Sequence, residues 1–177
     1  MKVVVLSGPE SAGKSSLCSA LAQHFNAPIV REYVREYMEQ HQRETCYADV
    51  EIIAREQWRR EQAARALNPP LLLLDTNLLS NRQWSRVLFG RSPSWIDWTL
   101  QQQPYDLVCL LSPDGLPWQA DGLRCQPDLA ERQAFHDDMH DWLQYHHQPV
   151  RLVGGGWPER YRQLRRVIEG LLPASWS

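Results

Sequence analysis

Residues 3–25 of this 177-residue chain read VVVLSGPESAGKSSLCSALAQHF, and this stretch decides the fold class. It begins at residues 3–6 with an uncharged, mostly β-branched run, which is typical of a parallel strand buried on both faces. Turn residues follow at 8–13, and apolar residues then recur at helical spacing over residues 15–25. The sequence therefore predicts a strand, a glycine-containing loop and a helix, in that order.

The loop between this strand and helix has the sequence GPESAGKS at residues 8–15, which satisfies the pattern G-x-x-x-x-G-K-[ST]. Glycines let the backbone curl so that successive N–H groups can bind phosphate oxygens, and the start of the following helix adds partial positive charge. In such a loop Lys14 contacts the β- and γ-phosphates and the Ser15 hydroxyl binds magnesium. The pattern predicts a nucleotide site with ATP and Mg²⁺ as cofactors. The residues expected to hold the nucleotide are Gly8, Glu10, Ser11, Ala12, Gly13, Lys14, Ser15 and Ser16.

Strand-like and helix-like stretches alternate along the rest of the chain. Further strands are predicted at residues 27–30, 71–74, 105–111 and 150–153. Helices are predicted at residues 31–40, 49–67, 77–89, 94–102, 129–146 and 158–172. This alternation predicts a three-layer α/β/α sandwich around a parallel sheet of about five strands, with residues 1–177 forming a single domain.

Composition and charge exclude several classes of protein. A hydrophobic fraction of 43% with 23% charged residues is close to the globular average, so a disordered chain is not expected. No apolar run approaches the ~20 residues of a membrane helix, and the first residues lack the apolar core of a signal peptide, which predicts a cytoplasmic protein without a membrane span. A net charge of −2 favours no nucleic acid partner. The four cysteines form no C-x-x-C pair, so they are expected to be reduced thiols.

Charged residues at two predicted strand ends are candidates for the chemistry. Residues 71–75 read LLLLD, and Asp75 can therefore lie near the metal that Ser15 binds. Residues 32–36, directly after the second predicted strand, lie at the sheet edge where parallel α/β proteins bind ligands. A carboxylate there could orient an acceptor hydroxyl, an arginine could hold polar groups and a tyrosine could stack on a ring. Taken alone, the same segment could also be a solvated helix.

Residues 113–127, called here the lid segment, are too rich in proline and glycine to form a long helix or strand. An arginine such as Arg124 on a closing loop can meet the charge of a transferring phosphoryl group. An ordinary surface loop, with Trp118 packed on the rest of the domain, is an equally good interpretation.

His136 and His140 lie four residues apart on a predicted helix, but no third ligand is apparent, so we expect a solvated pair rather than a metal site.

Four ordered stretches add a resemblance to a known family: GPESAGKSS at 8–16, REYVREY at 31–37, LLLLDTNLLSNRQWSRVLFG at 71–90 and PYDLVCLLSPDGLPWQADGLR at 104–124. Together they resemble the ribosylnicotinamide kinase domain of NadR-type proteins, over essentially the whole chain. The resemblance implies a P-loop kinase fold and the phosphorylation of nicotinamide riboside to nicotinamide mononucleotide with ATP and magnesium.

The resemblance also implies individual roles. The residues implied to bind substrate are Glu32, Tyr33, Arg35, Glu36, Asn77, Trp118 and Asp121, and the catalytic set is Lys14, Glu32, Asp75 and Arg124, with Ser15 and Asp75 at the metal. Larger members carry DNA-binding and adenylyltransferase regions, which this sequence does not match, so neither activity is expected. Alternatives stay open at this point: a kinase for another nucleoside or vitamin, or a nucleotide-gated binding protein without an acceptor. The catalytic base, the choice between ATP and GTP and the formation of a homo-oligomer also stay open.

Overall fold

The computed structural model describes residues 1–173, in which strands and helices alternate. The elements in chain order are β1 (Lys2–Ser7), α1 (Lys14–Phe25), β2 (Ile29–Val30), α2 (Tyr33–His41), α3 (Tyr47–Ala66), β3 (Leu71–Asp75), α4 (Leu78–Phe89), α5 (Ser94–Gln102), β4 (Leu107–Leu111), α6 (Leu129–Tyr145), β5 (Val150–Val153) and α7 (Trp157–Leu171). The strands form one five-stranded, fully parallel sheet in the order β2-β3-β1-β4-β5.

The sheet separates two hydrophobic cores, and β1 contributes to both. Val3 and Val5 face the core built with α3, α4, α5 and α6, whereas Val4 and Leu6 face the core built with α1 and α7. Successive side chains of a strand point to opposite faces, so a strand covered on both sides must be apolar at every position. The predicted three-layer α/β/α sandwich and its five-stranded parallel sheet are confirmed.

The predicted elements differ from the observed ones mainly at their ends. The strand predicted over 105–111 begins at Leu107, and the Asp106 carboxylate just before it binds the Lys2 ammonium and accepts the Val3 N–H. The helix predicted from residue 77 begins one residue later, since the Asn77 side chain accepts the Leu79 N–H as an N-cap.

Parallel pairing brings the carboxyl ends of the strands to one edge of the sheet. Leu6 of β1 lies opposite Asp75 of β3, and Ser7 lies opposite Leu110 of β4. The glycine-containing loop, Asp75 and the start of the lid segment therefore converge at this edge, which is where open α/β sheets bind ligands. Of the helices within residues 1–173, none combines the length and the apolar character needed to cross a bilayer.

Candidate active site

The loop after β1 has a backbone shape that its glycines permit. Gly8 has a φ of +135°, and a Cβ atom at this position would lie 2.6 Å from the backbone oxygen of Leu111. Gly13, with a φ of +81°, precedes α1 and provides no side-chain cap for it. The first N–H groups of α1 therefore have no capping side chain and, with the partial positive charge of the helix start, can bind an anion.

Lys14 lies in this loop. Its Nζ donates hydrogen bonds to the backbone oxygens of Gly8 and Pro9, at 2.9 and 2.7 Å. Burial lowers the pKa of Lys14, while the nearby carboxylates of Glu32 and Asp75 act in the opposite direction. The ammonium is therefore held between the phosphate loop and two acidic side chains.

Both acidic side chains are at strand ends, but their environments differ. Burial raises the pKa of Glu32, Lys14 opposes this effect and the Asp75 carboxylate adds to it. Asp75 is 2% exposed, and within residues 1–173 its buried Oδ1 atom has no hydrogen-bond partner. A buried carboxylate oxygen of this kind requires a cation or a donor, so it fits a magnesium ion at the phosphate loop.

The side chains present suit Mg²⁺ rather than a metal held by protein alone. Residues 1–173 contain no cluster of three or more histidine, cysteine or acidic side chains that could hold a metal. Magnesium typically binds one or two protein oxygens and completes its octahedron with substrate phosphates and water. Ser15 and Asp75 supply oxygens of the type that this mode requires.

Two cavities open at the carboxyl edge of the sheet. The first, the nucleotide cavity, measures about 930 Å³ with its open mouth and is lined by residues 11–16 of the phosphate loop, by Leu116, Pro117 and Gln119 of the lid segment, and by Trp157. The second, the acceptor cavity, measures about 960 Å³ with its mouth and has an apolar wall of Val34, Met38, Val50, Ile53, Trp84, Leu88 and Phe89. The residues that line both cavities are Lys14, Glu32, Arg35 and Arg124.

A chain of ion pairs connects the lid segment to α2 at this boundary. Asp121 accepts a hydrogen bond of 2.8 Å from Arg35 Nη1 and forms an ion pair of 3.1 Å with Arg124 Nε. Arg35 Nε also lies 3.4 Å from Glu32 Oε2. Burial would raise the pKa of Asp121, but hydrogen bonds from Arg35 and from backbone N–H groups lower it to about 2. The lid segment thus contributes Arg124 to the boundary of the two cavities, and its Asp121 pairs with Arg35 of α2.

Some residues named from the sequence face away from the cavities. The Tyr33 ring lies under the Arg60 guanidinium at 4.4 Å, and Glu36 pairs with the same Arg60 at 2.7 Å, so both face α3. Neither lines the two cavities, and nor does Asn77, whose side chain caps α4. His136 was expected to be solvated, but this expectation is wrong: the residue is buried at 8% exposure, because α6 packs this position inward.

Sequence reasoning missed Arg160, which is fully buried on α7. Its Nε donates to the Gly155 backbone oxygen at 2.7 Å, and its Nη1 donates to those of Ala12 and Ser112 at 3.1 and 2.8 Å. Nη2 donates to the Asp114 backbone oxygen. Burial lowers the pKa of Arg160, and Asp114 opposes this. The available signal was its spacing, four residues before the inward-facing Leu164.

The apolar wall of the acceptor cavity was also missed. Trp84 and Phe89 of α4 line this cavity, and neither was among the candidate residues named from the sequence. Helical periodicity identifies an inward face, but it does not distinguish a face that fills a core from one that borders a cavity.

The sheet order, the loop after its first strand and the cavities at its carboxyl edge define the class: this chain has the fold of P-loop nucleoside and nucleotide kinases. The model of the AAA domain family matches residues 3–160, and the chain belongs to that family.

Two curated relatives are similar along most of this chain. It is 29% identical, over 147 residues, to the trifunctional NAD biosynthesis/regulator protein NadR of Salmonella typhimurium, a match that covers 81% of the chain and 36% of that protein. It is 28% identical to the NadR protein of Escherichia coli, over 97% of the chain and 43% of that protein. The resemblance to NadR-type proteins is confirmed. The chain spans less than half the length of these relatives.

Solved structures show the same fold. A NadR protein in complex with NR superposes with a TM-score of 0.76 at 24% identity, covering 96% of this chain and 51% of that one. A NadR protein in complex with NAD and AMP-PNP gives 0.78 at 23% identity, covering 96% and 49%. A deoxyadenosine kinase from M. mycoides gives 0.63 at 17% identity, covering 95% and 99%.

Proposed function

We propose that this chain is a kinase that transfers the γ-phosphoryl group of ATP to a hydroxyl of nicotinamide riboside, forming nicotinamide mononucleotide. One observation carries the proposal: two cavities, one at the phosphate loop and one with an apolar wall, meet at a boundary of charged side chains. Phosphoryl transfer requires a donor and an acceptor in contiguous sites with charge concentrated between them. A nucleotide-gated binding protein has no need for the second cavity.

The nucleotide cavity supports the binding of a triphosphate. Loop N–H groups and the uncapped start of α1 are suited to phosphate oxygens. Lys14 would exchange the backbone oxygens of Gly8 and Pro9 for phosphate oxygens when the nucleotide enters. Trp157 and Pro117 give this cavity an apolar surface suited to a base.

The metal has two protein ligands in this proposal. Ser15 Oγ and the unpartnered carboxylate oxygen of Asp75 would hold Mg²⁺. When bound, the ion supplies positive charge that offsets the charge of the phosphate groups.

The transfer itself depends on the boundary residues. The acceptor oxygen forms a bond to the γ-phosphorus while the bond from that phosphorus to the β,γ-bridging oxygen breaks, and the hydroxyl proton passes to a carboxylate. Glu32 is suited to take this proton, because burial raises its pKa toward the working pH of a general base. Arg124 borders both cavities and would stabilise the charge on the transferring group.

The acceptor cavity suits a ring with a ribose. Trp84 and Phe89 offer an aromatic surface, and Ser80 and Asn81 offer hydrogen-bonding groups beside it. One of the similar structures was solved with NR and another with AMP-PNP. Nicotinamide riboside is therefore the first acceptor to test.

The test is product formation with Mg-ATP and nicotinamide riboside, measured by mass spectrometry and matched to ADP release. Lys14→Met should lower kcat/KM by about 100-fold or more, because it removes the ammonium from the phosphate site. Lys2→Met is the matched control: Lys2, the only other lysine, pairs with Asp106, and its loss should change kcat/KM less than about twofold.

A panel of other nucleosides separates the ways in which the proposal could fail. If nicotinamide riboside stays unmodified while another nucleoside is phosphorylated, the acceptor assignment is wrong and the kinase class stands. If ATP binds but no acceptor in the panel is phosphorylated, the nucleotide-gated binding protein becomes the better interpretation.

A further inference from the structure

Glu10 belongs to the phosphate loop, yet its side chain contacts the lid segment. Oε1 accepts a hydrogen bond of 2.8 Å from the Trp118 indole and one of 2.6 Å from the Gln126 backbone N–H. Oε2 accepts the Cys125 backbone N–H at 3.2 Å. The residue is only 8% exposed, and it borders the acceptor cavity instead of the nucleotide cavity. Its carboxylate therefore has a role other than contact with phosphate.

The hydrogen-bond partners of Glu10 lie in two separate parts of the lid segment, at Trp118 and at Cys125 and Gln126. Asp121 and Arg124 lie in the stretch between Trp118 and Cys125. The buried Glu10 carboxylate thus binds both ends of the stretch from Trp118 to Cys125, which contains Arg124. The neighbouring Ser11 Oγ reinforces the attachment by accepting the Gln119 N–H at 3.2 Å.

We propose that Glu10 is a positioning residue: it anchors the lid segment to the phosphate loop and thereby holds Arg124 at the boundary between the two cavities. This inference rests on the proposed kinase function. Hydrogen bonds to a carboxylate are roughly twice as strong as those between neutral groups, so three of them can hold a loop that has little regular structure. The three donors use both carboxyl oxygens of Glu10, and a glutamine in its place cannot accept from all of them, because its amide nitrogen only donates.

This attachment connects the position of the lid segment to the binding of phosphate. The backbone N–H groups around Glu10 and Ser11 belong to the loop that would bind phosphates, while their side chains hold the lid segment. A shift of this loop on phosphate binding would therefore move the lid segment that carries Arg124. The placement of Arg124 therefore depends on the same few residues as nucleotide binding.

Kinetics of Glu10→Ala and Glu10→Gln test the inference. Glu10→Ala should lower kcat by about 10- to 100-fold, comparable with the loss of one stabilising donor, and should change the KM for ATP less than about threefold. Glu10→Gln should show a smaller loss, because one carboxamide oxygen can still accept two of the donors. Glu39→Gln, an exposed position on α2, is the matched control and should leave both constants unchanged.

A double-mutant comparison separates positioning from simple destabilisation. If Glu10 acts through Arg124, the double variant Glu10→Ala/Arg124→Ala should be no slower than Arg124→Ala alone. Losses that multiply would overturn the inference, since Glu10 would then act independently of Arg124. Trp118→Phe removes one donor and leaves Glu10 in place, so it should give a smaller loss in the same direction even if Glu10→Ala folds poorly.

Tryptic cleavage after Arg124, followed by mass spectrometry with AMP-PNP present, needs no kinase activity. Glu10→Ala should be cut about ten times faster than the parent chain at this bond, and Glu39→Gln at the parent rate. If the parent phosphorylates nothing but Glu10→Ala still exposes Arg124, the proposed function fails and the anchoring role stands. If the parent is an active kinase and Glu10→Ala changes neither kcat nor this cleavage, the anchoring role is wrong.

Discussion

At the scale of single residues, Arg160 is a charged side chain at a helix position that an apolar residue would ordinarily fill. It lies one turn before Leu164 on the inward face of α7 and is completely buried. Its guanidinium donates to backbone oxygens from three segments: Ala12 in the phosphate loop, Ser112 and Asp114 near the start of the lid segment, and Gly155 before α7. A planar group with five donors can satisfy such a ring of acceptors, and no other side chain can.

We predict that Arg160→Lys destabilises the chain and weakens ATP binding. A lysine keeps the charge but leaves buried backbone oxygens without donors, at a cost of about 1–3 kcal/mol for each such group. The KM for ATP should rise about tenfold because Ala12 lines the nucleotide cavity, while the KM for the acceptor should change less than about twofold. Arg162→Lys, exposed on the same helix, is the control. An equal rise in both KM values would contradict a role confined to the nucleotide side.

At the scale of elements, the connection between α2 and α3 depends on one buried carboxylate. Asp49 accepts two hydrogen bonds from Arg43, at 2.7 and 2.8 Å, one of 2.6 Å from Tyr37 and one of 2.8 Å from the Cys46 N–H. The Arg43 guanidinium, assisted by Tyr37 and Cys46, holds the pKa of Asp49 far below its usual value although burial opposes this. The contact fixes α2, which carries Arg35.

We predict that Asp49→Asn lowers the free energy of unfolding at pH 7 by about 1–3 kcal/mol, because it removes a charge-assisted pair from a buried site. Since the pKa is depressed in the folded state, this stabilisation is complete above the unfolded value of about 3.9 and is lost as the pH falls below it. Urea unfolding at several pH values should therefore show a difference between variant and parent that shrinks as the pH falls below about 4. Asp141→Asn, on an exposed face of α6, should show no such change. A difference that is independent of pH would contradict the ionic contribution of Asp49.

The elements were predictable because each leaves a local signal. The uncharged runs at β1, β3 and β4 indicate strands covered on both faces, and their alternation with helical periods gives the three layers. Helix ends were less predictable where a side chain decides them, as Asn77 does for α4. The orientation of Tyr33 and Glu36 depends on Arg60, which lies 24 or more residues away in the sequence, and no local pattern encodes that contact.

At the scale of the whole molecule, the residues of the candidate site could be predicted only where they belong to a short sequence motif. The phosphate loop and Asp75 follow from short patterns at a strand end, as does the general location of the lid segment. The anchoring of that segment by Glu10, more than 100 residues earlier, could not be predicted, because it depends on the pairing of β1 with β4, which brings the loops after these strands together. The acceptor wall likewise depends on how α4 packs against its neighbours.

The shared boundary of the two cavities leads to a last prediction: each ligand should tighten the binding of the other. Lys14 and Arg124 border both cavities, so a triphosphate in one changes the electrostatic environment of the other, and nicotinamide riboside carries a positive charge that a triphosphate attracts. We expect saturating nicotinamide riboside to lower the Kd of AMP-PNP about fivefold or more in isothermal titration calorimetry. By linkage AMP-PNP must lower the Kd of the riboside by the same factor. Glu10→Ala should reduce this factor if the lid segment transmits part of the coupling. A factor of about one in the parent chain would mean that the two cavities bind their ligands independently. That result would contradict the shared boundary as the centre of the reaction.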